Sequence, residues 1–380
     1  MSDIFVSHNN IVSSLGFTSN LVVQNVQNEV SGLQYINDQS ILPDPFYTSL
    51  IPTDDLQMAF NLLKPKQAFT RLEQMMITSL NKVIVSSNLK LNERVGLIIS
   101  TTKGNIDALD TTNSFPNERA YLSTLGKQIK DFFGFENEAL VVSNACVSGI
   151  LAVAIAKRYI AQGIYDHVFI TSGDVISEFI LSGFNSFQAL STEPCKPYDA
   201  FRSGINIGEV SASVLITKDT MNLPDEAVKI LGEGSCNDAN HISGPSRTGE
   251  GLFRSMKSAF SQAEIPINSI DYISAHGTAT IFNDEMEAIA FNRMQLSNIP
   301  LNSLKGYFGH SLGASGLVET IVGMHSLKNN VLYKSLGFES LGVSKVINVI
   351  KETTSKNLQT FLKTASGFGG CNTAVIFQKI

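Results

Sequence analysis

Short apolar runs with the character of buried strands alternate along this chain with longer windows of helical periodicity. The predicted strands span residues 95–100, 140–143, 167–171, 213–217 and 271–275. The predicted helices span residues 70–87, 147–162, 251–263, 284–294 and 315–328. Strands that are apolar along their whole length fit sheets that are buried on both faces. The alternation therefore predicts an α/β fold in which layers of helices cover the sheets.

The composition limits the class of protein further. Charged residues make up only 16% of the 380 residues, against about 25% in an average soluble domain. With 43% apolar residues and a net charge of −6, the chain is neither disordered nor collagen-like. The acidic balance argues against a nucleic-acid-binding surface, which needs a basic stripe. So few charges predict an unusually large interior, or a surface that a partner covers.

Three sequence features concern location. No run reaches the roughly 18 apolar residues of a membrane span, and the N-terminus lacks the basic and apolar segments of a secretory signal. The cysteines lack the paired spacing of a disulfide framework or a zinc site; they are Cys146, Cys195, Cys236 and Cys371. We therefore expect a cytoplasmic protein with free thiols, no membrane span and no metal site.

The chain shows signs of two halves. The polar stretch 218–228 is interpreted as a seam, which divides the chain into residues 1–220 and 221–380. Residues 141–149 run from a strand through a tight turn into a helix of small residues, and residues 308–316 repeat the turn and the helix start. This faint echo is a hint of duplication.

Cys146 is the candidate nucleophile, because it follows a predicted strand and opens a predicted helix. A thiol at such an elbow is accessible and lies at the positive end of the helix dipole, which favours the thiolate. The alternative is a buried structural cysteine, the commoner role of a lone cysteine. The other three cysteines keep that interpretation.

Two histidines lie in contexts that packing alone explains poorly. His276 follows a predicted strand, at the position where ligands collect in α/β sheets, and Glu287 lies in the helix beyond it. His310 lies among glycines and small residues shortly after Lys305. A satisfied core or surface histidine remains the alternative for either one alone. The other histidines show no such context: His8, His167, His241 and His325.

Together these residues have a chemical meaning. A cysteine can hold an acyl group as a thioester, and two neutral histidines can donate hydrogen bonds to a second thioester as it becomes an enolate. Backbone N–H groups beside Cys146 and in the glycine turn 367–370 can bind the acyl oxyanion. That turn is no nucleotide loop, because a strand follows it. Such a set forms carbon–carbon bonds without a metal or an organic cofactor.

In this order and spacing, the motifs resemble those of the β-ketoacyl-acyl-carrier-protein synthases of the elongating type. The resemblance covers nearly the whole chain and rests on residues 5–16, Asn144-Ala145-Cys146, residues 195–204 with Gly208-Glu209, residues 276–280 with Glu287, Lys305 with Gly309-His310-Ser311, and residues 367–370. It implies a thiolase-like fold, a five-layered αβαβα sandwich. Residues 1–220 would form the half with the nucleophile, and residues 221–380 the half with both histidines.

The resemblance also implies a role for each matching residue. Cys146 would take the acyl chain from acyl carrier protein, and His276 and His310 would drive decarboxylation of malonyl carrier protein, so that the enolate attacks the Cys146 thioester. The implied supporting residues are Lys305 and Glu287, which tune the histidines; Phe368, a gate whose N–H completes the oxyanion hole; Thr278 and Thr280, which hold the phosphopantetheine arm; and Phe184 and Gly369 at the substrate. No resident cofactor is implied, because the phosphopantetheine arrives on the carrier protein.

Departures from the family pattern leave the substrate open. They lie near the expected pocket, at Ser366, Ser203, Phe187 and Gln188. They put the acyl chain in doubt and leave the chemistry in place. The product would belong either to bulk fatty-acid synthesis or to a specialised polyketide or polyene pathway.

The implied partner is an acidic acyl carrier protein, which a chain of net charge −6 would have to attract through a local basic patch. The candidates are Lys64, Lys66, Arg71, Lys127, Lys130 and Arg202. Each has the alternative of a solvated surface cation. The resemblance also implies a dimer, formed with a second copy or with a related synthase subunit.

Two other functions stay open from the sequence. A non-decarboxylating thiolase or acyltransferase of the same fold is the first, and a thiolase would use a second cysteine as base, for which Cys371 beside the glycine turn is the candidate. The second is a non-catalytic subunit that sets the chain length of an active partner. Such subunits normally lack the nucleophile, so Cys146 counts against this function.

Overall fold

The computed structural model describes residues 3–38, 45–238, 240 and 244–380. The strands are β1 (Phe5–Ser13), β2 (Gln34–Ile36), β3 (Phe46–Ser49), β4 (Val95–Ser100), β5 (Leu140–Val142), β6 (His167–Asp174), β7 (Ile207–Gly208), β8 (Val210–Thr217), β9 (Val228–Asn237), β10 (Tyr272–Ser274), β11 (Pro300–Asn302), β12 (Val331–Leu332), β13 (Asn348–Val349), β14 (Thr354–Ser355), β15 (Thr360–Gly367) and β16 (Cys371–Lys379). The helices are α1 (Ser19–Gln27), α2 (Thr53–Asn61), α3 (Arg71–Ser87), α4 (Leu122–Phe133), α5 (Ser148–Ala161), α6 (Glu178–Ser186), α7 (Glu250–Ala263), α8 (Ile281–Arg293), α9 (Lys305–Phe308) and α10 (Ser315–Asn329).

The main sheet consists of two halves with the same arrangement. The first half has the order β5-β4-β6-β8-β1, and the second has the order β11-β10-β15-β16-β9, with β13 added at its edge. In each half the three outer strands are parallel and the two inner strands pair antiparallel. A short antiparallel contact between β1 and β9 joins the halves. The repeated order shows that the two halves of the chain are built alike.

Helices on both sides of each half-sheet complete five layers. Helices α5 and α10 pack against each other between the half-sheets. Helices α3 and α4 cover the outer face of the first half, and α7 and α8 cover the outer face of the second. Helix α10 is buried on every side from Ser315 to Leu327, as expected only of a helix enclosed by other layers. The predicted αβαβα sandwich is confirmed.

The two central helices begin in close contact because each has a glycine in its first turn. A Cβ atom on Gly149 would lie 2.8 Å from the carbonyl oxygen of Gly313, and one on Gly316 would lie 2.7 Å from the amide nitrogen of Ile150. The contact is reciprocal, and the two segments follow the equivalent strands β5 and β11. This symmetry explains the faint internal echo in the sequence.

The predicted elements are confirmed, with differences only at their ends. The predicted strands coincide with β4, β5, β6, β8 and β10, and the predicted helices with α3, α5, α7, α8 and α10. Helix α8 begins at Ile281 rather than at residue 284, because Ile281 and Phe282 face outward and break the apolar periodicity. The seam at 218–228 is mostly the loop between β8 and β9, and the division at residue 220 stays a prediction. Within the described ranges, no helix combines the length and apolarity that crossing a bilayer requires.

Candidate active site

Cys146 lies at the sharp turn between β5 and α5. Ala145 adopts a left-handed backbone conformation with φ 44°. The Ser148 hydroxyl fixes this turn, since it accepts a hydrogen bond from the Asn144 N–H at 2.8 Å and donates one to the Ala145 carbonyl at 2.6 Å. The turn therefore holds the thiol in one place at the N-terminal end of a central helix.

His310 directly contacts the thiol. Its Nε2 lies 2.9 Å from Cys146 Sγ, and its Nδ1 lies 2.9 Å from the hydroxyl of Ser315, the first residue of α10. The pairing follows from the fold, because α5 and α10 begin side by side and each is preceded by one of these two residues. Residues 164 positions apart in the chain are thus placed in the contact that a nucleophile and its general base require.

His276 completes a cluster of three. Its ring centroid lies 5.2 Å from that of His310, with the rings nearly perpendicular. Cys146 Sγ and one nitrogen of each ring all lie within 4.8 Å of one another. Among the described residues, His276 Nδ1 is buried without a hydrogen-bond partner. The same spacing would suit a thiophilic metal ion as well as a substrate carbonyl.

Glu287 positions His276 through the backbone. Its carboxylate accepts hydrogen bonds from the His276 N–H at 2.9 Å and the Gly277 N–H at 2.7 Å. The Tyr198 hydroxyl and the Asn283 amide donate to the same group. The sequence predicts that Glu287 orients and tunes the histidines. In the structure it holds the backbone of His276, because its hydrogen bond to this residue involves the backbone amide and not the imidazole.

Lys305 belongs to a buried ion network that the sequence analysis missed. Glu319, on α10, lies 2.6 Å from Lys305 Nζ and 2.7 Å from Lys363 Nζ, and all three side chains are almost fully buried. Lys363 also donates to the carbonyls of Ser274 and Ala275 at the end of β10, directly before His276. Sequence reasoning could have found Glu319 and Lys363, because each is a charged residue within a largely apolar segment, Glu319 in α10 and Lys363 in β15.

Burial and nearby cations set the protonation states. The pKa values of both histidines lie well below the usual range, chiefly because burial disfavours imidazolium and secondly because of the positive charge of Lys305. Burial raises the pKa of the Cys146 thiol to about 12, and the positive charges of Lys305 and Lys103 offset only part of this effect. The expectation that Cys146 rests as a thiolate is therefore wrong, because burial keeps both its thiol and the His310 imidazole neutral.

A cavity of about 480 Å³ leads from the surface to this cluster. Cys146, His276 and His310 line it together with three predicted substrate residues, namely Thr278, Thr280 and Phe184. The two threonine hydroxyls lie 2.8 Å apart. Gly369 is not part of the lining, because the glycine turn exposes its neighbours Gly367, Phe368 and Gly370 to the cavity instead. The expectation for Gly369 is therefore not supported.

Phe368, in the glycine turn, lines the same cavity as the thiol. Its ring stacks on Phe184 at 5.4 Å and meets Phe187 edge-on at 5.5 Å. The turn approaches the nucleophile closely, since a Cβ atom on Gly367 would lie only 3.0 Å from the amide nitrogen of Cys146. The arrangement brings two backbone segments together beside the thiol, as an oxyanion hole requires.

The four departures from the family pattern all line the cavity. Ser366 donates a hydrogen bond to the Asn372 side chain at 2.8 Å, and the hydroxyl of Ser203 lies 2.8 Å from another serine hydroxyl. Gln188 adopts a positive φ of 53°. Ser203, Ser366 and Gln188 give part of the wall a polar surface, and Phe187 adds an apolar side chain.

Most of the predicted basic patch is engaged elsewhere. Arg71 forms a bidentate ion pair with the buried Glu209, with its closest contact at 2.6 Å. The side chain of Arg202 is buried, 3.7 Å from Asp284, and donates to two backbone carbonyls. The lysines on α4 form ion pairs: Lys127 with Asp131 and Lys130 with Glu138. Of the six candidates, Lys64 and Lys66 are exposed and form no ion pair with the residues that the structure describes.

Cys371 lies close to the nucleophile but faces away from the cavity. Its thiol donates to the Phe368 carbonyl at 3.3 Å and lies 3.7 Å from the Asn144 carbonyl. It is absent from the cavity lining. Burial also raises the pKa of its thiol to about 11. The position does not support a second catalytic base.

Two family models match this chain. The family model of the β-ketoacyl synthase N-terminal domain matches residues 31–221, and that of the C-terminal domain matches residues 228–339. A 3-oxoacyl-[acyl-carrier-protein] synthase 2 of Rhizobium meliloti (strain 1021) is 33% identical over 255 residues, which cover 63% of this chain and 60% of that protein. The chain thus matches less than two thirds of the length of this relative.

Solved structures show the same fold. A ketosynthase in complex with its chain length factor, from Xenorhabdus doucetiae, has a TM-score of 0.88 at 23% identity, covering 100% of this chain and 98% of that one. A type II PKS acyl-carrier protein in complex with its ketosynthase bound to the hexaketide gives 0.88 at 20% identity, covering 100% of both chains. The fold, the site and the matches to both family domains lead to one conclusion: this chain belongs to the β-ketoacyl synthase family.

Proposed function

We propose that this protein catalyses a decarboxylating Claisen condensation, in which an acyl group on Cys146 and malonyl-acyl carrier protein give 3-oxoacyl-acyl carrier protein. The contact between Cys146 Sγ and His310 Nε2, with His276 beside it at the end of a cavity, carries this proposal. The product would enter fatty-acid or specialised polyketide or polyene elongation. The polar cavity wall at Ser366 and Ser203 leaves both pathways open.

In the first step, the acyl chain is transferred to Cys146. The thiol gives its proton to Nε2 of His310 as sulfur attacks the thioester, and the departing carrier thiolate then takes up that proton. When Nε2 accepts, Nδ1 carries the ring proton and donates to Ser315. Because a hydroxyl can both donate and accept, Ser315 supports the opposite tautomer as well. His310 is an imidazolium only between these two proton transfers. Afterwards its neutral ring can donate from Nε2 while the Ser315 hydroxyl donates to Nδ1.

In the second step, the malonyl group loses carbon dioxide. The electron pair of the broken bond forms an enolate, whose oxygen accepts hydrogen bonds from the neutral rings of His276 and His310. The enolate carbon then attacks the Cys146 thioester, and the oxyanion lies between the N–H groups of Cys146 and Phe368. The C–S bond breaks, and the Cys146 thiolate that leaves takes one proton from water, which balances the carboxylate charge lost with carbon dioxide. Lys305 stabilises the charge that develops in both steps.

The proposed reaction uses no metal and no resident cofactor. Every electron pair above stays on a substrate or on the Cys146 sulfur, and the one proton that the reaction consumes comes from water. A thiophilic ion such as Zn²⁺ that bound between Cys146 and the two histidines would occupy the substrate's place. Added zinc is therefore expected to inhibit condensation, and dialysis against a chelator is expected to leave it intact.

The alternatives have less structural support. A thiolase would need a second thiol at the reacting carbon, but Cys371 faces away from the cavity. A chain-length subunit would not need a thiol paired with His310. The assay that separates these functions follows carbon dioxide release and 3-oxoacyl formation from malonyl carrier protein. Product from Cys146→Ala at the unmodified rate would refute the nucleophile, and acetoacetyl-CoA formation from acetyl-CoA would favour a thiolase.

A dimer and a cytoplasmic location complete the proposal. Strand β5 is an edge strand of the main sheet, and a groove beside it is lined by the apolar residues Leu140, Val141, Leu151 and Ile155. A second copy, or a related synthase subunit, would cover this edge.

All four cysteines are free thiols, which suits a reducing compartment.

A further inference from the structure

The turn that links His310 to helix α10 is held by the first half of the chain. Gly313, inside this turn, donates its N–H to the Asp174 carboxylate at 2.8 Å, and its carbonyl accepts from the Ser100 hydroxyl at 2.9 Å. Ser100 ends β4 and Asp174 ends β6, the neighbouring strand. Both backbone polar groups of Gly313 are thus bound by strand ends of the other half-sheet. We call Asp174 and Ser100 the Gly313 clamp.

The carboxylate of Asp174 is buried and fully hydrogen-bonded. Its residue is 1% exposed. Besides Gly313, it accepts from the Thr101 hydroxyl and from both the N–H and the hydroxyl of Thr102, each at 2.9 Å. Lys103 reaches the same cluster through the Thr102 hydroxyl, to which its Nζ donates at 2.5 Å. Four donors match the lone-pair sites of a carboxylate, so this group is fixed in one orientation.

The clamped turn has a backbone that needs outside support. Leu312, directly before Gly313, is left-handed with φ 51°, a conformation that a leucine keeps only where surrounding contacts impose it. A Cβ atom on Gly313 would lie 2.7 Å from the Asp174 carboxylate and 2.8 Å from the backbone of Thr101. The shape of the turn is therefore decided by close contacts with the first half of the chain.

Both ends of the turn bear on the reacting pair. His310 precedes it, and Ser315, which follows it, lies with its hydroxyl 2.9 Å from His310 Nδ1. The other ring nitrogen lies 2.9 Å from Cys146 Sγ. The loop after β4 also contacts the turn of the nucleophile, because the Ser143 hydroxyl donates to the Thr102 carbonyl at 2.9 Å. The clamp therefore joins the turn of the base to the turn of the nucleophile.

We propose that Asp174 is a positioning residue for His310: its carboxylate, with the Ser100 hydroxyl, keeps Nε2 of the ring within reach of the Cys146 thiol. The inference rests on the proposed function. Neither clamp residue lines the cavity, so the clamp acts on the base and not on the substrate. Its loss should fall on the step in which the thiol gives its proton to His310.

Removal of the carboxylate is the first test. Asp174→Ala should slow the acylation of Cys146 by about ten- to hundred-fold, since a misplaced base costs this much. The measurement is single-turnover acylation by the small thioester octanoyl-N-acetylcysteamine. The thioester concentration at half-saturation should change by less than about two-fold, because neither clamp residue contacts the substrate. Asp174→Asn should recover most of the lost rate, since its amide oxygen still accepts the Gly313 N–H and the threonine hydroxyls can accept its amide protons.

Asp166→Ala is the matched control. It removes a carboxylate directly before β6, at the end of the sheet away from Cys146, that forms ion pairs with Arg94 and Lys218. This variant loses electrostatic contacts at the same strand but should acylate at the unmodified rate. An Asp174→Ala protein that acylates like this control would overturn the proposal.

A double-mutant cycle shows whether Asp174 acts through His310. In a His310→Ala background, Asp174→Ala should lower the remaining acylation rate by less than about three-fold, because residues that act as a unit are not additive. Ser100→Ala should cost about three- to ten-fold alone and lose this effect in the same background. If circular dichroism shows that Asp174→Ala does not fold, the cycle with Ser100→Ala decides. Equal effects in both backgrounds would refute the role of the clamp.

The same assays separate this inference from the proposed function. If the unmodified protein acylates Cys146 and forms a 3-oxoacyl product, additive effects in the cycle refute only the positioning role of Asp174. If the unmodified protein is not acylated by the thioester or by acyl carrier protein, the condensing activity and the positioning role are both refuted.

Discussion

At the scale of single residues, the site depends on keeping three polar groups neutral in a buried place. A charged imidazole would donate at both nitrogens and could not accept the thiol proton of Cys146. Burial, with the charge of Lys305, holds the pKa values of His276 and His310 well below their usual range. The thiol is kept protonated by the same burial. Its reactivity must then come from the adjacent base rather than from a low pKa.

The pH dependence of alkylation tests the state of the thiol. Because burial raises the pKa of Cys146 to about 12, the thiolate fraction should grow about ten-fold per pH unit from pH 7 to 10. The rate of carbamidomethylation at Cys146, followed by peptide mass spectrometry, should rise with pH and show no plateau. A plateau below pH 9 would mean that the resting thiol is already ionised.

The second prediction at this scale concerns Ser315, a positioning residue whose hydroxyl lies 2.9 Å from His310 Nδ1 and 3.3 Å from the Ser311 hydroxyl. Ser315→Ala should lower the rate of Cys146 acylation by about ten-fold, since it removes one hydrogen bond that fixes the ring. His310→Ala should lower the rate by about 10² to 10⁴, the usual contribution of a general base. Single-turnover acylation by octanoyl-N-acetylcysteamine measures both.

Ser315→Thr, which keeps the hydroxyl, should restore most of the acylation rate. The control is His167→Gln. His167 is a half-buried histidine at the start of β6, at the end of the sheet away from Cys146. If Ser315→Ala acylates at the unmodified rate, the hydroxyl does not position the ring.

At the scale of elements, the central layer determines where the reacting groups meet. Helices α5 and α10 start side by side through Gly149 and Gly316, and this contact sets the distance between the turns that carry Cys146 and His310. Glu319 on α10 then joins Lys305 to Lys363 beneath the histidines. The two central helices therefore serve both the core and the site.

Gly316→Ala should destabilise the protein by about 1–3 kcal/mol, because its Cβ atom would lie 2.7 Å from the backbone of α5. Gly183→Ala on α6 is the matched control, since a Cβ atom there meets nothing within 4 Å. That change should be neutral or stabilising, by up to about 1 kcal/mol. Urea unfolding of both variants provides the comparison, and equal effects would refute the close contact.

Glu319→Gln should be more damaging, because it leaves two buried cations without their carboxylate. Removal of one member of a buried ion network typically costs about 3–5 kcal/mol of unfolding free energy. Substitution of the exposed Glu136 by glutamine should change the urea midpoint far less. A midpoint for Glu319→Gln equal to that of this control would show that the network contributes nothing to stability.

At the scale of the whole molecule, the shortage of charge has a structural cause. One entire helical layer and both half-sheets lie inside, so a large share of the chain never meets water. Within the part of the chain that the structure describes, the apolar groove beside β5 remains uncovered in the single chain. We assign this groove to a second synthase subunit.

Native mass spectrometry should therefore find a species of twice the 41.2 kDa chain. Ile155→Asp places a charge in the groove beside β5 and should shift this species towards the monomer, because burying an unpaired carboxylate is costly. Met221→Ser, at an exposed residue that does not line the groove, should leave the dimer unchanged. A monomer in the unmodified protein would instead favour a different subunit as partner.

The sequence alone determined the order of elements and most of the reacting groups. Apolar runs report strands and helices directly, since burial selects residue type along the chain. Cys146, His276 and His310 were recognisable because each follows a strand or a glycine turn, where side chains reach substrate. Lys305 and Phe368 were predicted from family motifs, which can be recognised in a sequence because they are local patterns of residues.

Only the tertiary structure decided the electrostatics and the pairings. The thiol of Cys146 is neutral rather than ionised, because the burial that sets its pKa comes from layers far apart in sequence. Glu319 and Lys363 join Lys305 only after α10 and β15 have packed together. Arg71 and Arg202 are not free to bind a partner protein, because each forms an ion pair with a carboxylate that is remote in sequence. Charge interactions depend on distance in space and on desolvation, and neither quantity is written in local residue order.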